Sequence, residues 1–178
     1  MKTHLFKRIL FTISLITVVG LIFSACSKND DDNNVTPDDQ TDVSDTFTIN
    51  GEDFKVNLSY LSSQTMPDLE TNLGIIIITG ESDSKIGTLN FPIAFAIGSD
   101  IQGTYSSYSD VATPGKYIGY MANYTTQDKS NNIKKANYPE GYIKVIHHQG
   151  KQYTVEFNME FNDGVKAIGK IKRNFPTP

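Results

Sequence analysis

The chain has little of what several protein classes require. Its 178 residues include one Cys and no Trp, and 16 Lys and Arg stand against 20 Asp and Glu. A single Cys cannot form a disulfide within the chain or a metal site with two or four Cys ligands. The net charge of −4 argues against a protein that neutralises nucleic-acid phosphates. We therefore expect no cofactor, no bound metal and no nucleic-acid partner.

Long apolar runs are also missing, except for one near the N-terminus. Three basic residues among the first eight precede an apolar run over residues 9–23. As a helix these residues would span about 22 Å, which is shorter than a bilayer core of about 30 Å. The short run is followed by the small residues Ser24 and Ala25, which predicts a secretory signal peptide over residues 1–25. An uncleaved N-terminal anchor helix is the alternative.

The end of this run resembles the lipobox of bacterial lipoproteins. Residues 21–26 are LIFSAC, with two small residues directly before the only Cys of the chain. The resemblance implies that Cys26 is acylated and becomes the mature N-terminus. Each buried CH₂ of an acyl chain contributes about 0.8 kcal/mol, so two or three chains anchor a protein firmly without a membrane span. We expect lipidation at Cys26, and hence a membrane as a partner through that lipid.

An acidic segment follows the Cys. Residues 27–45 contain seven acidic residues, one Lys and two Val. Such a composition cannot bury enough apolar surface to offset its chain entropy, so residues 26–45 are predicted to form a disordered tether. Its root-mean-square span is about 24 Å before charge repulsion extends it.

The first residues of the tether suggest a location. Residues 27–32, SKNDDD, resemble the acidic export signal that follows the lipidated Cys in surface lipoproteins of Bacteroidota. The resemblance implies a lipid anchor in the outer membrane and display on the cell surface. The alternative is an outer-membrane protein that faces the periplasm.

The remaining residues, 46–178, follow a period of two. Apolar side chains alternate over 153–161 and again over 165–171, around a turn at Asn162-Asp163-Gly164, and Ile143 and Val145 precede them. This pattern predicts a three-stranded C-terminal meander. No stretch of 12 residues has a convincing helical pattern. We expect a single all-β domain, an antiparallel sandwich or barrel of eight to ten strands.

Three further segments predict strands at the front of this domain. Alternation from Phe47 to Leu58 around Asn50-Gly51 indicates an opening hairpin, because Asn-Gly favours tight turns. The run Ile75–Ile78 is typical of a buried central strand. Alternation from Phe91 to Ile97 indicates another strand, in which Pro92 favours a strand start or an edge. Residues 116–124 are a weaker candidate.

A catalytic site is not apparent. His147 and His148 are the only histidines after the predicted signal peptide, and neighbouring strand residues point to opposite faces. At most one of them could join a catalytic site, and no Gly-x-Ser-x-Gly motif accompanies them. Glu156 and Glu160 share a face but lie about 13 Å apart along a strand, too far for a glycosidase pair. We therefore predict that the protein is not an enzyme.

Tyrosines are the main candidates for ligand binding. Five of them occur within twenty residues rich in Gly and Ser, and tyrosine combines a rigid apolar ring with a polar tip. They could form a stacking surface for a glycan or a protein. The alternative is that they cap the ends of the β core with their hydroxyls in water. The five are Tyr105, Tyr108, Tyr117, Tyr120 and Tyr124.

These features favour a non-catalytic, lipid-anchored β domain that binds or scaffolds another molecule. The mature chain also resembles the small uncharacterised all-β lipoproteins of Bacteroidota, which brings no known activity with it. One alternative is a lipocalin-like carrier of a small apolar ligand, although the chain lacks the Gly-x-Trp motif. A surface hydrolase with carboxylates from distant strands is the other alternative.

Overall fold

A computed structural model describes residues 44–177, and these form an all-β structure. The predicted signal peptide, Cys26 and the tether up to residue 43 lie outside the described residues. Across residues 44–177, no helix has the length and apolar character needed to cross a membrane. The strands are β1 (Thr46–Ile49), β2 (Glu52–Met66), β3 (Thr71–Glu81), β4 (Lys85–Ala96), β5 (Gly103–Tyr105), β6 (Tyr108–Ser109), β7 (Lys116–Ile118), β8 (Asn123–Asp128), β9 (Ile133–Asn137), β10 (Glu140–Gln149), β11 (Gln152–Glu160) and β12 (Lys166–Asn174).

All twelve strands belong to one sheet that curls into a half-barrel. The order is β5-β10-β11-β12-β1-β2-β3-β4-β7-β6, and β8 and β9 branch from β4. Every pair is antiparallel except β6 with β7. The outermost strands of this order, β5 and β6, are separated in sequence only by Ser106 and Ser107. Because Cα atoms are 3.8 Å apart, the two edges approach within about 11 Å there.

The predicted fold class is confirmed, with more strands than expected. Nine of the twelve strands have four residues or more, while β5, β6 and β7 have two or three. β5 and β6 are too short to show a recognisable alternation, so a search for periodicity overlooks them, whereas β7 falls within the weaker candidate at residues 116–124. Residues 116–124 contain β7 and the start of β8 with a turn between them.

The C-terminal meander is formed by β10, β11 and β12, as predicted. Ile143 pairs with Phe157, and Phe157 pairs with Gly169 on its other side. The inward row of β11 is buried from Val155 to Phe161, and Tyr153 is partly buried. Thr154 of the opposite row is unexpectedly buried too.

Aromatic rings fill the interior of the curl. Phe157 lies with its ring centroid 5.1 Å from that of Phe91 and 6.5 Å from that of Phe47. Phe47 in turn stacks on Phe54 at 5.4 Å. All four rings are almost completely buried. Strands from the beginning and the end of the domain therefore contribute to one core, which is tightly packed around these four rings.

The opening hairpin is confirmed, but its alternation ends early. Asn50 and Gly51 have φ angles of +53° and +78°, as the tight turn requires. The register between β2 and β3 shifts between Val56 and Leu58. This bulge exchanges the two faces of β2, so Leu58 is exposed, whereas Leu61 is buried.

Pro92 lies in the middle of β4 and not at a strand start or an edge. On one side it pairs with Ile75 of β3, in the centre of the sheet. On the other side, β8 pairs with β4 as far as Asn90 and β7 begins at Ile93. Pro92 therefore falls in the gap between two neighbours, where its missing N–H removes no ladder hydrogen bond.

The folded part begins slightly before the predicted boundary at residue 46. The Ser44 amide donates to the Lys170 carbonyl at 3.1 Å, and the Val56 amide donates to the Asp45 carbonyl at 2.7 Å. Ser44 and Asp45 were assigned to the tether because they are polar. Their backbone hydrogen bonds place them with the sheet.

Candidate ligand-binding surface

Two exposed tyrosines lie together where the sheet edges approach each other. Tyr108 belongs to β6, and Tyr138 belongs to the short connection between β9 and β10. Their ring centroids are 6.0 Å apart and their planes are inclined by 73°. Tyr108 also lies 6.2 Å from the buried ring of Tyr117. We call the exposed pair Tyr108 and Tyr138 the tyrosine patch.

Gly119 allows the two rings to approach the backbone. A Cβ atom at this position would lie 2.7 Å from Cδ2 of Tyr108 and 3.1 Å from Cδ1 of Tyr138. A side chain here would therefore displace at least the Tyr108 ring. The Gly119 carbonyl also accepts a hydrogen bond from the Tyr138 amide at 3.0 Å. The same residue thus supports both rings of the patch.

The backbone of Tyr138 adopts an uncommon conformation. Its φ angle is +51°, in the left-handed region that bulky residues rarely enter and that costs about 1–3 kcal/mol. Two hydrogen bonds hold this conformation. The first is the bond from the Tyr138 amide to the Gly119 carbonyl, and the second involves the next residue, Pro139. The Tyr117 hydroxyl donates to the Pro139 carbonyl at 2.7 Å. These contacts fix the direction in which the Tyr138 ring leaves the chain.

The patch faces solvent and keeps its polar groups available. Tyr108 is 42% exposed and Tyr138 is 40% exposed. Among residues 44–177, neither hydroxyl has a hydrogen-bond partner, so both can bind a ligand. Tyr120, which is 46% exposed, lies one residue beyond Gly119, and its carbonyl accepts a bond from the Asn137 amide group at 2.6 Å.

The predicted group of five tyrosines does not form one surface. Tyr105, Tyr117 and Tyr124 are buried, which removes them from any stacking platform. The expectation that capping tyrosines direct their hydroxyls to water also fails for these three. Tyr105 donates to the Ile101 carbonyl at 2.7 Å, Tyr117 donates to Pro139, and Tyr124 donates to the Asp163 carboxylate. They close the core by bonding to loops and turns.

Burial also raises the pKa of these three phenols further above neutral pH. It raises the pKa of Tyr105 to about 12, with a smaller contribution from the Asp100 charge. It likewise raises the pKa of Tyr117 to about 12, with help from Glu140. The pKa of Tyr124 is raised by burial and by its bond to Asp163. None of them can supply a phenolate base.

Tyr138 was not among the predicted residues. It lies fourteen positions after Tyr124, outside the tyrosine-rich stretch. The β8–β9 hairpin brings it back beside Tyr108. The one local indication is that an aromatic residue directly precedes Pro139. That pattern marks a chain bend but does not indicate which residues lie beside it.

A groove with both polar and apolar side chains lies at one end of the sheet, away from the patch. It encloses about 230 Å³ between the β1–β2 turn, the start of β4 and the β8–β9 hairpin. The pKa of Glu52 is lowered chiefly by its hydrogen bond from Lys85, and the pKa of Asp128 by bonds from Asn132. A glycosidase requires one carboxylic acid with a raised pKa. These carboxylates are shifted in the opposite direction, which disfavours acid catalysis in the groove.

Asp163 connects the β11–β12 turn to neighbouring strands at this end of the sheet. It accepts hydrogen bonds from the Tyr124 hydroxyl and the Val165 amide, and Lys134 lies 3.3 Å away. Partial burial raises its pKa, but these bonds outweigh that effect, so the pKa of Asp163 is lowered. The turn between β11 and β12 is thereby tied to β8 and β9.

His147 is engaged on both ring nitrogens. Nδ1 lies 2.6 Å from the Asp100 carboxylate and Nε2 lies 3.0 Å from the Gly150 carbonyl. Both partners are acceptors, so the ring satisfies both only when each nitrogen carries a proton. The Asp100 bond, followed by the Gly150 bond, therefore raises the pKa of His147. Neither ring nitrogen of His147 remains free to activate a serine in this arrangement.

The His147 contact predicts a pH-dependent contribution to stability. A pKa raised by folding stabilises the folded state below about pH 6.5, and this contribution disappears as pH rises through the folded pKa. We expect Asp100→Asn to lower the urea midpoint more at about pH 5.5 than at about pH 8.5. Equal changes at the two pH values would show that the ion pair contributes nothing. An NMR titration should also show a lower His147 pKa in the variant.

The other polar candidates are engaged in structural contacts. His148 bonds to Thr154 at 2.8 Å, and Glu156 accepts a bond from the Tyr142 hydroxyl at 2.7 Å. Glu160 pairs with Lys166 at 3.2 Å. Within residues 44–177, no three His, Cys, Asp or Glu side chains come together as metal ligands.

Comparisons of the chain with protein-family models, with curated proteins and with solved structures gave no match.

Proposed function

We propose that this protein is a lipid-anchored lipoprotein of the outer membrane, displayed on the cell surface, whose β domain binds a ligand without catalysis. The anchor is Cys26, and residues 27–43 connect it to the domain. The ligand contacts the tyrosine patch. The observation that carries the binding role is the exposed pair Tyr108 and Tyr138, held over Gly119 by a strained backbone.

The strain at Tyr138 supports this role. A conformation that costs about 1–3 kcal/mol persists only where the surroundings enforce it, and such positions cluster at functional sites. Here the enforced conformation leaves the Tyr138 ring partly in water. The ring therefore contributes less hydrophobic free energy to folding than a fully buried ring would. The folding of the domain does not require an exposed ring in a strained conformation, whereas the binding of a ligand to that ring would explain it.

The carrier and hydrolase alternatives receive less support. A lipocalin-like carrier needs an apolar cavity inside the curl, but Phe47, Phe54, Phe91 and Phe157 occupy that space in mutual contact. A hydrolase needs a base or an acid with a suitable pKa. Both ring nitrogens of His147 are bonded to acceptors, and the lowered pKa values of Glu52 and Asp128 disfavour a general acid in the groove.

The lipid anchor is tested by replacing the sulfur atom of Cys26 to which the lipid would be attached. We expect Cys26→Ser to move the protein from the membrane fraction to the soluble fraction, because a serine hydroxyl cannot form the thioether to the lipid. Cell fractionation measures this, with Ser27→Ala as the control that keeps the thiol and stays in the membrane. Retention of Cys26→Ser in the membrane fraction would contradict the proposal.

Display and binding need separate measurements. Protease added to intact cells should remove the wild-type domain if it faces outward, whereas a domain that faces the periplasm would be protected. For binding, the mature chain with Cys26→Ser serves as a water-soluble probe of the envelope fraction of the cells that express it. Tyr108→Ala and Tyr138→Ala should weaken this binding, and unchanged binding in both would remove the patch from the proposal.

A further inference from the structure

We infer that the ligand of the tyrosine patch is a neutral carbohydrate, bound by stacking of its sugar rings on Tyr108 and Tyr138. This inference rests on the proposed binding function and specifies its ligand class. Three properties of the patch lead to it: its small area, its lack of contact with any cation and its combination of ring faces with unbonded hydroxyls.

The area of the patch suits a small ligand and not a protein. A tyrosine buries about 150–250 Å² when it is fully covered. At 42% and 40% exposure, the two rings therefore offer about 160 Å² together. A stable protein interface needs about 800 Å² from each partner. One or two sugar rings can cover the patch, whereas a protein would need much additional contact area.

No charged side chain among residues 44–177 forms a ring contact or an ion pair with the two tyrosines, and the charge that acts on the adjacent Tyr117 is the Glu140 carboxylate. Their described ring contacts are with each other and with Tyr117, and Gly119 lies beneath them. Neutral polar groups lie close by in the fold, since Asn137 immediately precedes Tyr138 and Ser109 bonds to Thr113 at 3.2 Å. The Glu140 carboxylate would repel a sulfate or a uronate, and no cation among residues 44–177 contacts the rings to offset that repulsion. The patch is therefore complementary to a neutral ligand.

The chemistry of a sugar ring matches this surface. A pyranose has C–H groups on its faces and hydroxyls at its edge, so it can stack on an aromatic ring while it forms hydrogen bonds at the side. The two phenol hydroxyls have no partner among residues 44–177 and can serve as both donors and acceptors. A purely apolar molecule would leave these hydroxyls unused and would stay mostly exposed on an open surface.

Calorimetry with defined oligosaccharides tests the inference. The protein is the mature chain with Cys26→Ser. The neutral probes are the hexasaccharides of cellulose, starch, mannan and xylan, and a heparin hexasaccharide is the anionic probe. We expect at least one neutral probe to bind and the heparin probe not to bind. Tyr108→Ala and Tyr138→Ala should each weaken binding about tenfold, which corresponds to the loss of one stacked ring.

Matched variants separate recognition from folding. Tyr60→Ala removes a half-buried tyrosine from β2, two strands away from β4, and should leave affinity within about twofold. Tyr108→Phe and Tyr138→Phe keep the ring packing and should weaken binding less than the alanine variants do. Binding of none of the neutral probes, stronger binding of heparin, or full affinity in both alanine variants would overturn the inference.

A second measurement distinguishes this inference from the proposed function. Envelope material is treated either with periodate, which cleaves sugar diols, or with proteinase K before the soluble chain is added. Loss of binding only after periodate supports a carbohydrate. Loss only after proteinase, still dependent on Tyr108 and Tyr138, would overturn the carbohydrate inference but leave the proposed binding function intact.

Discussion

Replacing Phe157 with alanine is expected to lower the free energy of unfolding by about 3–5 kcal/mol. The ring is 1% exposed and contacts the rings of Phe47 and Phe91. It also covers Gly169 of β12, where a Cβ atom would lie 2.6 Å from its Cζ atom. The truncated side chain would leave a cavity that strands from both ends of the chain cannot easily fill. Urea unfolding of both proteins measures the loss.

Asn158 is the matched control for this change. It follows Phe157 on β11, points to the opposite face and is exposed, so Asn158→Ala should change stability by no more than about 0.5 kcal/mol. Glu156 is less suitable, because it is half-buried and bonded to Tyr142 and does not simply face water as the alternation predicts. Similar losses for Phe157→Ala and Asn158→Ala would mean that the faces of β11 are assigned incorrectly.

Gly141→Ala is expected to lower the free energy of unfolding by about 3–4 kcal/mol, through strain and a clash together. Gly141 has a φ of +129°, which a residue with a side chain rarely adopts. A Cβ atom there would overlap the carbonyl oxygen of Asn158 on the paired strand and lie 3.0 Å from the carbonyl carbon. Since these atoms belong to the backbone, relief requires β10 and β11 to separate locally.

Gly98→Ala provides the comparison, because it shares the backbone strain without the clash. Gly98 has a φ of +81°, and a Cβ atom there meets nothing within 4 Å. Its replacement should cost about 1 kcal/mol. Thermal and urea unfolding of both variants would separate strain from overlap. If Gly141→Ala were no worse than Gly98→Ala, the close approach of β10 to β11 at this point would be incorrect.

The meander and the opening hairpin could be predicted because their information is local. An alternating row such as Val155 to Phe161 determines which face is buried, and turns such as Asn50-Gly51 determine the register. The errors occur where one residue interrupts a pattern. The bulge before Leu58 exchanges faces, and Pro92 is accommodated by a gap between two other strands. Neither event has a distinct sequence signal.

The members of the tyrosine patch are much harder to predict from the sequence than the strands. Tyr108 of the tyrosine-rich stretch is exposed, but burial separates it from Tyr105, Tyr117 and Tyr124. Which tyrosine is buried depends on carbonyl and carboxylate partners far along the chain, such as Pro139 and Asp163. Those partners meet the tyrosines only after the sheet has curled. Composition can therefore suggest an aromatic surface without identifying its members.

The position of β1 has a consequence for the order of folding. β1 lies between β2 and β12, and Thr48 faces Ile168, a residue 120 positions later. The hairpins from β2 to β4 and from β10 to β12 join neighbouring segments and can form early. Closing β1 on β12 requires a much longer loop and forms late. β1 therefore stays unpaired on one side until β12 is available to complete the sheet, so a chain that has lost its C-terminal strand would leave edges of both β1 and β11 exposed.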